Sequence, residues 1–108
     1  MLDGLGASAG IAAGIARVFP HGIHPDAALS KQDILVLPSL DPGHTGIMGR
    51  VGGLVIERGG LLSHAAIVAR EYGIPLVIGV AGVVDALETG RAIEIDGTAG
   101  TVQIEQTP

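Results

Sequence analysis

The stretch Gly53-Leu54-Val55-Ile56-Glu57-Arg58-Gly59-Gly60-Leu61-Leu62-Ser63-His64-Ala65-Ala66-Ile67-Val68-Ala69-Arg70-Glu71-Tyr72-Gly73-Ile74-Pro75-Leu76-Val77-Ile78 decides the fold. Leu54-Val55-Ile56 is a short, continuous apolar run, the pattern of a strand buried on both faces. Gly59-Gly60 breaks it. Ser63 is a good N-cap, and the Ala-rich run behind it predicts a helix over about 64–72. Gly73 and Pro75 follow in the order expected after a helix C-terminus. Leu76 to Val80 is a second apolar strand. Strand, helix, strand in so short a span predicts a parallel pair with a crossover helix.

Working outward, Val83 to Glu88 reads as a short helix stopped by Gly90, and Ala92 to Asp96 as a strand. Gly97 to Gly100 should turn the chain, and the alternating Thr101 to Glu105 should close the sheet as a hairpin. On the N-terminal side, Asp33 to Leu37 is a strand ending at Pro38. Residues 38–46, with Asp41-Pro42-Gly43 and Gly46, read as a loop, and Thr45 to Arg50 as a short helix. Ile11 to Phe19 is a further strand. Residues 20–32 form a polar connection, with a helical turn at Asp26-Ala27-Ala28-Leu29. The Gly/Ala/Ser-rich residues 4–10 read as turn or irregular. Asp41 and Asp96 read as turn residues. The strand–helix–strand–helix–strand order over 53–96 predicts an α/β core with parallel pairs, although pattern alone does not choose between small α/β folds.

Composition narrows the function classes. A chain of 108 residues is one domain with one core. Phe19 and Tyr72 are its only aromatic residues, so Val, Ile, Leu and Ala must build the interior. Net charge is −5, with no basic patch, which argues against nucleic acid or an anionic membrane as partner. Without cysteine there is neither a disulfide framework nor thiolate chemistry, which fits a cytoplasmic protein. The N-terminus does not read as a signal peptide, and the apolar run from Ile74 to Val84 is too short and too interrupted to span a bilayer.

The chemistry concentrates at His64, between the Gly-Gly turn and the helix. A helix start offers open N–H groups and the positive end of the dipole, both suited to an anion. Neutral imidazole is a competent nucleophile near pH 7. Ser63 either caps the helix or bonds His64 or phosphoryl oxygens. Gly59 and Gly60 are expected to serve the turn and to leave room for a nucleotide or substrate. Arg70, six positions on, is not on the same helix face as His64. Its fork could still turn back to a phosphate, or pair with Glu57 or Glu71. Glu57 itself reads as structural or docking. His21-x-x-His24, with His44, suggests a metal only weakly, because no cysteine lies nearby. Gly4, Gly6 and Gly10 have the wrong spacing for a dinucleotide fingerprint.

Residues Glu57 to Pro75 resemble the phosphohistidine signature of the PEP-utilising enzymes. That family includes phosphoenolpyruvate synthase, pyruvate phosphate dikinase, the sugar-phosphotransferase enzyme I and rifampicin phosphotransferase. The similarity extends to Gly4-Leu5-Gly6-Ala7-Ser8-Ala9-Gly10-Ile11-Ala12, to Asp33-Ile34-Leu35-Val36 with Asp41-Pro42, and to Asp96-Gly97-Thr98-Ala99-Gly100. The resemblance implies the swivelling β/β/α phosphohistidine domain, a single compact unit with a mixed sheet over residues 1–108. It implies phosphorylation of His64 through Nε2, with Gly59, Gly60, Ser63, Ala65 and Arg70 around the phosphate or substrate. Leu62 departs from the threonine that many dikinases and synthases carry there, so control by phosphorylation at that position is not expected.

By the same resemblance the domain binds no cofactor of its own. Mg-ATP or PEP would sit on a partner, an ATP-grasp nucleotide domain or subunit, and the acceptor on another. The chain would be a phosphotransferase component that cannot turn over alone, either part of a larger enzyme or a free-standing carrier. Two other readings stay open. One is a non-catalytic binding or regulatory module of the same fold; the other is a metal site through His21, His24 and His44.

Overall fold

The computed structural model describes residues 1–23 and 28–105. Eight strands form one mixed sheet: β1 (Leu2–Asp3), β2 (Leu5–Ser8), β3 (Ile11–Val18), β4 (Asp33–Leu37), β5 (Gly53–Ile56), β6 (Leu76–Ile78), β7 (Ala92–Asp96) and β8 (Thr101–Ile104). Two helices, α1 (His64–Tyr72) and α2 (Val83–Ala86), and a 3-10 helix (Pro42–Gly49) complete it. The order across the sheet is β1-β8-β7-β3-β4-β5-β6-β2. Strands β3 to β6 run parallel, while β7, β8, β1 and β2 pair antiparallel with their neighbours, so the parallel pairs expected over 53–96 hold for β5 and β6 but not for β7, which crosses to the far side of β3.

Alternation along the central strands builds two cores. Leu35, Leu37, Leu54, Ile56, Leu76 and Ile78 face one way, onto Ala65, Ala66 and Ala69 of α1 and Met48 of the 3-10 helix. The small alanines let α1 lie close against the sheet. Ile34, Val36, Val55 and Val77 face the other way, onto Ile93, Ile95 and Val102, with Val83 and Leu87 completing the cluster. A strand that is apolar on both faces has this meaning: it is a middle layer. The result is a β/β/α stack.

Only Gly4 separates β1 from β2, yet they pair with β8 and β6 at opposite ends of the order. The sheet therefore curls until its ends meet, and residues 2–8 close the gap. Gly4 N–H donates to the Gly100 carbonyl at 2.8 Å. This corrects the turn expected over residues 4–10. The glycines and alanines there are a strand against which other backbone packs: a Cβ on Gly6 would strike the Gly97 carbonyl.

The other expected elements are present, trimmed by a residue or two at their ends. The expected helix over 45–50 is the last part of a 3-10 helix that begins at Pro42. Asp41 Oδ1 accepts from Gly43 N–H, and Asp96 Oδ1 from Thr98 and Ala99 N–H, each at 2.9 Å, so both are turn residues. The expected helical turn at residues 26–29 falls partly outside the described residues.

Candidate functional site

Helix α1 joins two neighbouring parallel strands, so its start lies at the C-terminal edge of β5. The chain reaches α1 through a loop whose geometry needs glycine at one position. Gly59 has φ 125°, and a Cβ there would come within 2.8 Å of Ile78 Cδ1. Gly60 differs: its φ is not positive, and no atom lies within 4 Å of a built Cβ. Both glycines serve the turn, since the Gly60 carbonyl accepts from Ser63 N–H at 3.1 Å, but only Gly59 has to be glycine. Gly60 leaves open space beside the helix start.

Ser63 is the N-cap, with φ −67° and ψ 157°, and its Oγ accepts from Ala66 N–H at 3.3 Å. That fixes the first turn. His64 is the first helical residue and is exposed. Among the described residues, the N–H groups of His64 and Ala65 donate to nothing. Two open donors, the dipole's positive end and an exposed imidazole thus share one spot.

Arg70 pairs with neither Glu57 nor Glu71, and part of its fork is taken up. Side chains on a helix lean toward its N-terminus, and Arg70 leans onto two carbonyls: Nε donates to Ala7 at 2.7 Å and Nη2 to Leu61 at 3.0 Å. It ties the loop before His64 to β2, acting on the site through its backbone. Glu57 Oε1 accepts from Val84 N–H at 3.3 Å, capping α2, whose own N-cap, Gly82, has no side chain to do so.

Sequence reasoning missed a cavity of about 570 Å³ beside this loop, lined among others by His21, Pro38, Asp41, His44 and Arg58. Three separate segments form it, residues 20–23, 37–44 and Arg58, and no local pattern signals such convergence. His21 and His44 both border it, while His24 lies outside the described residues. No group of three or more metal-ligating side chains occurs among the described residues. Nor is any helix among them long and apolar enough to cross a membrane.

A curled β/β/α sheet with an exposed histidine opening its crossover helix defines a swivelling-domain fold. More particularly, residues 29–100 match the PEP-utilising enzyme mobile domain, and the chain belongs to that family. It is 42% identical over 94% of its length to the rifampicin phosphotransferase of Bacillus cereus, and 42% identical over the same share to the phosphoenolpyruvate synthase of Pyrococcus furiosus. It spans only 11% of the former and 12% of the latter, so these relatives are much longer transferases in which such a domain has other domains beside it. The solution structure of an Enzyme I protein aligns over 76% of this chain and 33% of its own, with a TM-score of 0.63 and 28% identity.

Proposed function

We propose that the chain is a phosphoryl carrier in which His64 is transiently phosphorylated. The observation that carries this reading is the exposed imidazole at the first position of α1, beside two unused N–H donors and the open space at Gly60. In the first transfer a ring nitrogen of His64 attacks a donor phosphorus. An N–P bond forms, and the P–O bond to the leaving group breaks with its electron pair remaining on oxygen. In the second, an acceptor oxygen attacks the same phosphorus and imidazole leaves. The His64 and Ala65 N–H groups steady the phosphoryl oxygens in both directions. Arg70 and Ser63 hold the loop and helix start in place for them.

The donor is Mg-ATP or PEP, bound on an ATP-grasp domain or other partner domain or subunit, and the acceptor is bound on another. The length of the relatives supports such partners, and this chemistry belongs in the cytoplasm.

The test is intact mass after incubation with ATP and then with PEP, in the presence of the donor domain or subunit. The expected result is a gain of one phosphoryl group that is lost in acid and absent in His64→Ala. No gain from either donor sinks the carrier reading in favour of a binding module.

A further inference from the structure

The segment that presents His64 is unusually apolar for so exposed a place. Leu62 is 89% exposed, Leu61 43% and Ile67 45%. Leu61 and Leu62 sit on the loop before the helix, and Ile67 on its first turns, so the three flank His64 in sequence. From Gly59 to Ala69 no side chain is charged apart from His64 itself when protonated. Cations border the segment, Arg58 and Arg70, and Arg58 is exposed. Glu57 and Glu71 adjoin these arginines, so residues 57–71 carry no net charge, and a domain of net charge −5 presents His64 on an apolar, locally neutral tip.

No packing inside the domain accounts for Leu62, and transfer chemistry supplies the reason. Phosphoryl transfer to an acceptor other than water requires water to be kept from the phosphorus. In the isolated domain His64 is open to solvent. We propose that Leu61, Leu62 and Ile67 form a docking collar that seats against the rim of the phosphoryl-donor site, in the donor domain or subunit. This rests on the carrier reading above. The rim is apolar where it meets Leu62, and the anionic donor inside complements Arg58. The greater length of the curated relatives leaves ample protein to supply that rim.

The size of the collar fits its task. Three partly exposed aliphatic side chains offer on the order of 300 Å² of apolar area, against roughly 800 Å² per partner in a stable interface. Such a contact seals and then releases, as a carrier serving two sites requires.

The test labels His64 by two routes. Phosphoramidate, a small phosphoryl donor, needs no protein partner. ATP or PEP acts only through the donor domain or subunit. Leu62→Asp should keep its phosphoramidate labelling within about twofold and lose at least tenfold in donor-dependent labelling, chiefly through a raised KM for the carrier. Leu62→Met should restore the donor-dependent rate. Equal donor-dependent rates in Leu62→Asp and the parent would overturn the collar while leaving the carrier intact. Loss of both kinds of labelling in Leu62→Asp would also overturn it, by showing that Leu62 shapes the loop itself. A parent that takes no label by either route removes the carrier reading, and the collar with it.

Discussion

Gly59 and Gly60 look alike in sequence and do different work. Gly59 holds φ 125° and has Ile78 Cδ1 where a Cβ would go. Alanine there combines a backbone conformation closed to L-residues with a clash, so Gly59→Ala should cost about 2 kcal/mol or more. Gly60→Ala meets neither obstacle and should leave stability unchanged or raise it by up to about 1 kcal/mol. On the carrier reading the open space at Gly60 takes the donor, so the added methyl group should lower donor-dependent labelling about tenfold. Urea unfolding alongside labelling separates the two. Equal stability losses in both variants would contradict the assignment. The sequence announces that glycine matters here but not which of the two is forced, because that depends on Ile78, nineteen positions away. Ser63 is easier to read: its cap acts within three residues, and Ser63→Ala should cost about 1 kcal/mol.

At the scale of elements, α1 is the part of the chain most fully legible in sequence. Its cap, its Ala-rich face and its Gly73 stop are local signals, and the observed helix, His64–Tyr72, coincides with the expected span. Gly73 takes φ 71°, the left-handed conformation such a stop requires. What sequence could not reveal is where Arg70 reaches, since Ala7 lies 63 positions back in the chain. The same long-range contact explains why β2 reads as a turn in sequence. Its small residues look flexible when taken alone and prove close-packed once their neighbours are known. The tie gives a prediction. Lysine has one point charge where arginine has a fork, and cannot hold both carbonyls in the same geometry. Arg70→Lys should cost about 1 kcal/mol and speed hydrogen exchange at the amides of residues 59–63. Unchanged exchange there would show that the loop is held by its glycines and Ser63 alone.

At the scale of the whole molecule, everything turns on how the sheet closes. Strands β4 to β6 are legible from their apolar runs, with the helix between β5 and β6 marking that pair as parallel. Closure is not, because it depends on backbone meeting backbone at glycine, which leaves no hydrophobic pattern. Gly97 is the tightest of these points. It is buried, its N–H donates to the Gly10 carbonyl at 2.7 Å, and a Cβ would strike the Ser8 carbonyl. Neither backbone can retreat: the segment around Ser8 pairs with β6 on one side, and Gly97 opens the hairpin that β1 and β2 lean on. Gly82 is a fair control, left-handed at φ 73° but with open space around a built Cβ. Gly82→Ala should lose only the left-handed penalty, about 1 kcal/mol. Gly97→Ala should lose about 3 kcal/mol through overpacking, a fall in Tm of roughly 15 °C for a domain of this size. If the two variants melt within a few degrees of each other, residues 2–8 are not the clasp of the sheet, and the tie from Arg70 to Ala7 would anchor the His64 loop to an edge that is itself free to move.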